Sequence, residues 1–367
     1  MKIWIDARIC EENSYYTLFI TQLIEEISER ESEHSIYIYQ SEKFPLNKKK
    51  KEKTSSDRNN IHFITLKTSK NSFSDIFRTK KIYETQKFHM MIFFDTHIPL
   101  FYSGAYIIVL ESLKEVFFPK KKWVERKLYT FRLKYAIEKC LKVVVLDKNS
   151  AFELNENLNI SEEKIARIPA FFPHISSEKE ALSIDVQAKH NIKWNYLIYD
   201  SWNEVHNNFE RILKSLKKLK ENGNPLCLII LCDATSKDLD IREKVIEFDL
   251  MSQVIFLWNV DKNFEKSYYT QSAGVIFSSI YESFPFHFTK ALSYEVPIFA
   301  NDIPAHKEVM KETIVYLDPL SVHTMADTLQ EKTQENILFH TSYNFLMKNY
   351  NPKNTSESLM NIIEGKE

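Results

Sequence analysis

An α/β fold with two domains and parallel sheets is predicted by the length of the chain and by its alternation of strands and helices. The chain has 367 residues, enough for two domains that each bury a core. The stretch from Val275 to Val309 predicts a strand, a loop, a helix and a second strand, a unit that joins parallel strands. Ligands of open parallel sheets bind where loops leave the carboxyl ends of strands, so Glu282 lies at a predicted binding edge.

The composition is that of a globular protein, with 44% hydrophobic and 27% charged residues. A net charge of -1 gives no overall attraction to nucleic acid, and no nucleic-acid-binding motif is present. No apolar run reaches the length of a membrane span, and Met1 leads straight into a strand, so a cytoplasmic location is expected. The four cysteines lack zinc-ligand spacing and are predicted to be free, mostly buried thiols.

The first domain is predicted over residues 1–175, and a polar interdomain linker over 172–193. Apolar runs predict strands at 2–6, 35–40, 61–66, 90–94, 106–110, 143–146 and 165–168. Helical spacing predicts helices at 17–27, 123–140 and 151–158, the last capped by Asp147 or Ser150. This order of elements is typical of a Rossmann-like domain.

The second domain is predicted over residues 190–340, with a helical segment over 341–367 that breaks at Pro352. Its strands are predicted at 196–199, 228–231, 254–257, 275–277 and 297–300. Its helices are predicted at 209–219, 236–248, 264–272 and 288–294, the first stopped by Gly223. The regular alternation predicts a second parallel sheet.

Two basic clusters have two interpretations each. Lys48–Lys53 is a run of charge between strands, and Lys120–Lys127 lies beside Phe117, Phe118 and Trp123. Both could be solvated surfaces, as most such runs are. The alternative is peripheral contact with an anionic membrane or a lipid-linked acceptor, worth about 1 kcal/mol per basic residue near the lipid.

Five residues match a known motif: Ser279, Glu282, Phe284, Ala291 and Pro297. In this spacing they resemble the donor-sugar motif of family 4 retaining glycosyltransferases, and IWIDAR near the amino terminus resembles the opening of many of these enzymes. The resemblance implies the GT-B fold. Two Rossmann-like domains would then face each other across a cleft, and the last helix would cross back to the first domain.

The sequence departs from that motif at four positions. Ser283, Pro285 and Glu295 stand where glycines are usual, and Lys290 stands where a second glutamate belongs. An ammonium group only donates hydrogen bonds, so Lys290 cannot accept one from a ribose hydroxyl. It could contact a phosphate of the donor.

The activity implied by the resemblance is hexose transfer with retention from a nucleotide-diphosphate sugar to a glycan or lipid-linked acceptor, in surface polysaccharide or glycoconjugate synthesis. No bound metal and no cofactor beyond the co-substrate are expected. Glu282 would contact the donor sugar; as an alternative, it could be a helix N-terminal carboxylate stabilised by the dipole. The predicted donor-binding residues are Ser14, His206, Asn207, Ser283, Phe284, Pro285, Phe286 and Lys290.

Glu111 is a second candidate catalytic residue: after the strand at 106–110 the resembled family commonly has a His-Asp pair, with the histidine near the acceptor, and this chain has Glu111 and Ser112 there. A carboxylate there could act as a general base or stabilise a cationic sugar. It could equally be a strand-end residue paired with a lysine.

Several replaced positions leave two functions open. The turn CEENSYY lacks the glycines that would cradle phosphate and carries Glu11 and Glu12, and Asn207 stands where the family has a lysine. The first hypothesis is an active transferase with altered donor contacts. The second is a catalytically silent GT-B homologue that serves as a partner subunit or binds glycans.

Tryptophan outnumbers glycine in this chain, 5 to 4, although glycine usually makes up about 7% of residues. Trp4 and Trp258 stand where the resembled family has glycine, and Trp202 is a third such candidate. Either they are genuine products of drift in an AT-rich gene, or a codon read as glycine in the source has been translated as tryptophan. Mass spectrometry of the native protein separates the two hypotheses.

Overall fold

A computed structural model of the chain shows two compact units. The first comprises Met1–Pro173 and Tyr350–Glu367, and the second comprises His174–Asn349. The structure describes residues 1–11, 14–29, 34–46, 60–66, 85, 88–95, 98, 102–118, 123–175, 182–200, 208–232, 238–335, 346 and 348–366.

The first unit contains a seven-stranded sheet whose paired strands all run parallel, in the order β3-β2-β1-β4-β5-β6-β7. Its strands are β1 (Lys2–Asp6), β2 (Ser35–Ser41), β3 (Ile61–Leu66), β4 (Met90–Phe93), β5 (Tyr106–Leu110), β6 (Lys142–Val145) and β7 (Ile165–Arg167). The helices described before the unit's carboxyl-terminal segment are α1 (Tyr15–Glu29), α2 (Lys114–Phe117), α3 (Trp123–Lys139) and α4 (Lys148–Leu158).

The second unit contains a six-stranded parallel sheet in the order β10-β9-β8-β11-β12-β13. Its strands are β8 (Tyr196–Tyr199), β9 (Cys227–Cys232), β10 (Val254–Trp258), β11 (Gly274–Phe277), β12 (Ile298–Asn301) and β13 (Val315–Leu317). Its helices are α5 (Val186–His190), α6 (Phe209–Glu221), α7 (Asp238–Glu247), α8 (Lys262–Thr270), α9 (Thr289–Ser293), α10 (Pro304–Met310) and α11 (Val322–Lys332). The predicted α/β class with two Rossmann-like parallel sheets is confirmed.

Several inner strands of the two sheets are buried along their whole length. Every residue of β5 and of β8 is buried, as expected where helices cover both faces of a parallel sheet. The predicted apolar stripe of α6 is confirmed, because the side chains from Phe209 to Leu219 at helical spacing are buried. Several helices differ from their predicted bounds by one to three residues. Among them, α8 begins at Lys262, because the side chain of Asp261 accepts a hydrogen bond from the backbone of Asn263 and caps the helix there.

The last helix, α12 (Pro352–Glu364), belongs to the first unit. Asn351 caps it by accepting a hydrogen bond from the backbone of Asn354, and Pro352 occupies the first helical position, where a missing N–H costs nothing. The Thr355 hydroxyl donates to the Pro169 carbonyl at 2.7 Å, and His34 and Glu364 form a bond of 2.9 Å. These contacts tie the carboxyl terminus to the first sheet.

Asparagine and aspartate take over turns that glycine often occupies. Among the described residues, seven residues other than glycine have a positive φ, and five of these are Asn or Asp. After glycine, Asn and Asp tolerate the left-handed region best. Asn159 and Asn191 use it to terminate α4 and α5. The other two are Glu295 (φ 53°) and Lys311 (φ 49°), so these positions carry backbone strain.

Replacing Glu295 by glycine should therefore stabilise the protein. A glycine there removes the steric cost of the left-handed backbone, but it also increases the conformational entropy of the unfolded chain. The net effect is an increase of about 0.5–1 kcal/mol in the free energy of unfolding. Chemical denaturation measures it. The matched control, Glu308→Gly inside α10, should destabilise by about 1 kcal/mol. A loss of stability in both variants would contradict the assignment.

Two of the three tryptophans in question lie in very different surroundings. Trp4 on β1 is fully buried, with its ring 4.6 Å from Tyr37, 4.4 Å from Tyr39 and 3.9 Å from Phe88. Its indole N–H has no hydrogen-bond partner in the described structure. Trp258 at the end of β10 is 45% exposed, and Trp202 lies outside the described residues.

The four cysteines are free and buried, as predicted. Burial raises the pKa of the Cys140 thiol to about 11 and that of Cys227 to about 11, so both are protonated, unreactive core residues at neutral pH. Among the described residues, no helix is both long enough and apolar enough to cross a lipid bilayer.

Candidate functional site

The candidate site lies at the carboxyl edge of the second sheet, where its strand order reverses. The chain passes from β8 outward to β9 and β10 and then returns to β11 on the other side of β8. In open α/β sheets this switch point leaves a crevice at the strand ends where ligands bind. Asp200 follows β8 there, and Ser278 and Ser279 follow β11.

Asn301, the last residue of β12, holds the loop that follows β11. Its side-chain amide donates to the carbonyl oxygens of Ser278 at 2.6 Å and Ser279 at 3.2 Å. Asn301 is completely buried, so these bonds form away from competing water and fix the start of the loop.

Aromatic packing fixes the next part of the loop. Phe284 and Phe286 are buried, with ring centroids 4.9 Å apart, and the Phe286 amide donates to the Phe284 carbonyl at 2.8 Å across Pro285, as in a γ-turn. Ser283 is buried as well. These four predicted donor-binding residues therefore form a packed loop beside Glu282, while their contact with a donor stays a prediction.

Glu282 is a buried carboxylate paired with a histidine. Its side chain is 8% exposed, and its Oε2 lies 3.4 Å from Nε2 of His306, which is fully buried in α10. Burial raises the pKa of Glu282, but the hydrogen bond from His306, the charges of His287 and His306, and a hydrogen bond from Ser279 together lower it to about 2. Its other oxygen, Oε1, is buried with no hydrogen-bond partner in the described structure, which is a costly state for a carboxylate and one that a ligand donor would relieve.

The lowered pKa of Glu282 predicts a loss of stability in acid. Because the folded-state pKa lies below the ordinary value of 4.5, the pair stabilises the fold above about pH 4.5, and that contribution is lost as the pH falls towards 2. We expect the free energy of unfolding to fall by about 3 kcal/mol more over this range in the wild type than in Glu282→Gln. Urea denaturation at several pH values tests it, with exposed Glu312→Gln as control; parallel curves for wild type and Glu282→Gln would contradict the prediction.

Lys290 lies in an acidic environment. Its Nζ is 2.5 Å from Glu265 Oε1 on α8 and 3.6 Å from Asp200 Oδ2 at the end of β8, and the Tyr269 hydroxyl donates to the same Asp200 carboxylate. Two carboxylates therefore neutralise this ammonium group. Its predicted role at a donor phosphate stays a prediction.

The candidates of the first unit lie at the carboxyl edge of the other sheet. Ser14 caps α1, accepting a hydrogen bond from the Thr17 amide at 3.4 Å. Glu111 follows β5 and is half-buried. The pKa of Tyr16 lies well above the usual range, first because Tyr16 is buried and second because of the negative charge of Glu111. The Tyr16 hydroxyl oxygen lies 3.4 Å from the carbonyl oxygens of Phe94 and Val109.

Sequence reasoning missed four site residues and named two that the structure does not describe. His206 and Asn207 lie outside the described residues. The missed residues are Asp200, Glu265, Asn301 and His306. His306 had a detectable signal, since a histidine in the first turn of a helix after a parallel strand belongs to the same sheet edge as Glu282.

Comparison with known proteins agrees with this architecture. Residues 185–341 match the family model described as glycosyl transferases group 1. Over 212 residues, 58% of this chain, the sequence is 24% identical to the O-antigen chain mannosyltransferase RfbU of Salmonella typhimurium, and the match spans 56% of that protein's length.

Solved structures resemble the whole chain. Sucrose-phosphate synthase from Thermosynechococcus elongatus superposes with a TM-score of 0.73 at 12% identity, covering 100% of this chain and 99% of that one. HepE of Anabaena, solved in complex with UDP and glucose, superposes with a TM-score of 0.70 at 11% identity and covers both chains completely. The fold is GT-B, and the sequence matches support a glycosyltransferase.

Proposed function

We propose that this protein transfers a hexose from a nucleotide-diphosphate sugar to a glycan or lipid-linked acceptor. The observation that carries the proposal is the Glu282 carboxylate. It is buried and ionised, His306 fixes its orientation, and none of the described residues donates a hydrogen bond to its Oε1. A sugar hydroxyl supplies such a donor, and charged acceptors bind hydroxyls more strongly than neutral ones do. The group 1 match covers the sheet edge that holds it.

The finer assignment rests on the resemblance of the loop to the family 4 motif. It supports retention of configuration, a reaction without a bound metal, and a place in surface polysaccharide synthesis of the O-antigen type, which the named mannosyltransferase also supports. Glu111 is proposed as the acceptor-side carboxylate.

Donor binding is proposed to differ from that of enzymes with the usual motif. Lys290 already bonds Glu265, so a diphosphate would compete with two carboxylates for its charge. We expect weak binding of the nucleotide diphosphate alone and a correspondingly large contribution from the sugar.

A panel of nucleotide sugars tests the proposed function. Thermal unfolding of wild type and Glu282→Ala is followed with UDP-, GDP- and dTDP-linked hexoses and with the matching nucleotides. A shift by one nucleotide sugar that Glu282→Ala loses supports the transferase. The absence of any shift in the wild type would favour a catalytically silent GT-B homologue.

We also propose peripheral contact with an anionic membrane through α3. The helix buries Leu133, Ala136 and Ile137 in the core, yet its other face leaves Trp123 66%, Leu128 57% and Phe131 66% exposed. The core covers only one of the two apolar faces of this helix, so we expect a binding partner or a membrane to cover the other.

The basic residues of α3 favour anionic lipid, rather than a second copy of the chain, as the partner of this exposed apolar face. Lys127 lies over the Trp123 ring, 4.1 Å from its centroid, and Arg126 and Lys134 are exposed on the same helix. A second copy docked face to face would bring these cations together, whereas anionic lipid complements them, and mixed basic and aromatic residues are typical of helices at the bilayer interface. Lys48–Lys53 and Lys120–122 lie outside the described residues, and their part in this contact stays a prediction.

Simultaneous replacement of Trp123, Leu128 and Phe131 by alanine should weaken membrane binding at least about tenfold, because the apolar area that enters the interface is lost. Cosedimentation with phosphatidylglycerol-containing vesicles measures the effect, and phosphatidylcholine vesicles show its dependence on charge. Phe152→Ala, an equally exposed apolar residue on α4, is the control. Equal binding of the triple variant and wild type would exclude α3 as the contact.

A further inference from the structure

His306 has a hydrogen-bonding partner at each of its two ring nitrogens. Its Nδ1 lies 2.7 Å from the backbone carbonyl oxygen of Asn301, an atom that only accepts hydrogen bonds, so Nδ1 carries a proton. Its Nε2 faces the Glu282 carboxylate at 3.4 Å. A neutral ring with its proton on Nδ1 would present a lone pair to that carboxylate, whereas an imidazolium donates to both partners.

The surroundings of His306 hold the ring in one orientation. The residue is fully buried, and its ring lies 4.9 Å from the ring of Phe288. The carbonyl that accepts from Nδ1 belongs to Asn301, whose side chain in turn anchors Ser278 and Ser279. One chain of hydrogen bonds therefore links the ends of β11 and β12 to Glu282.

We infer that His306 is a positioning residue: as an imidazolium it holds Oε2 of Glu282 and leaves Oε1 to accept a hydroxyl hydrogen from the donor sugar. His306 itself touches no substrate in this arrangement. The assignment of the sugar to Oε1 rests on the proposed function, whereas the contacts of His306 with Asn301 and Glu282 do not.

The first test addresses the pair without any ligand. In protein labelled with ¹⁵N-histidine, both ring nitrogens of His306 should be protonated at neutral pH, with the signals assigned by their loss in His306→Gln. Glu282→Gln removes the anionic partner, and the ring should then lose its second proton. A neutral His306 in the wild type would overturn the inference. If His306→Gln fails to fold, the signals of His306 are identified instead by their change in Glu282→Gln.

The second test separates positioning from a general structural role. The ratio of dissociation constants for the nucleoside diphosphate and its hexose conjugate is measured by calorimetry, with the donor that gives the largest thermal shift. His306→Gln should reduce the preference for the sugar conjugate by about 10- to 100-fold, the equivalent of one charge-assisted hydrogen bond, and leave the affinity for the diphosphate unchanged.

His323→Gln is the matched control, because His323 is exposed and pairs with Asp327 on α11. A fall in both affinities of His306→Gln would show a structural role only, and an unchanged preference would refute positioning. If the wild type binds no nucleotide sugar, the proposed function fails, while the protonation measurement still decides the state of the pair.

Discussion

Glutamine in place of Glu282 is expected to lower kcat/KM for sugar transfer by about 100-fold. The amide has nearly the shape of the carboxylate, but it lacks the charge that strengthens a hydrogen bond from a sugar hydroxyl, and a buried charged hydrogen bond contributes about 1.5–3 kcal/mol. The change also leaves the His306 ring without its anionic partner, 3.4 Å away. Initial rates with the donor identified by thermal shift measure the effect.

Two controls accompany this variant. Glu312→Gln makes the same chemical change on the surface of the same unit and should retain full activity. Thermal unfolding at neutral pH shows whether Glu282→Gln is folded. A folded Glu282→Gln variant with wild-type kcat/KM would remove Glu282 from the reaction.

The largest stability effect is expected for Trp4→Gly, which should lower the free energy of unfolding by about 4 kcal/mol. The indole fills the space between Tyr37, Tyr39 and Phe88, and deletion of a buried aromatic side chain costs about 3–5 kcal/mol. Glycine within a strand adds about 0.5–1 kcal/mol through backbone entropy. The cost is reduced by the buried indole N–H, which gains water on unfolding.

Trp258→Gly is the matched comparison, because Trp258 ends a parallel strand of the other unit and is half exposed. It should cost about 1 kcal/mol, and urea denaturation of both variants gives the difference. A Trp4→Gly variant as stable as the wild type would mean that the site accommodates glycine, the residue found there in the resembled family.

Much of the fold could be predicted because buried parallel strands have short, continuous runs of apolar residues in the sequence. The runs at 106–110 and 196–199 coincide with β5 and β8, since no turn residue or helical repeat competes with them. The strand predicted at 297–300 lies one residue later, at Ile298–Asn301. Pro297 lacks the N–H that a ladder needs, and this explains the shift.

The candidate site was only partly predictable, because its pairs join residues far apart in the sequence. Glu282 could be found from its own loop. Its partner His306 lies 24 residues further on, and Lys290 meets Glu265 and Asp200 from two other elements. Which charges meet depends on the strand order, and spacing along the chain does not contain that information. Glu295 is the opposite case, because the sequence alone pointed to it. It stands where the motif usually has glycine, and the structure gives this residue a positive φ.

Calorimetric titration of the wild type and Glu282→Gln with a nucleotide sugar and its free nucleoside diphosphate tests the central claim most directly. The wild type should bind the sugar conjugate more tightly than the diphosphate, and the variant should lose that preference while its affinity for the diphosphate stays the same. If the variant kept the wild-type preference for the sugar conjugate, the carboxylate would not contact the sugar, and the proposed site would be wrong.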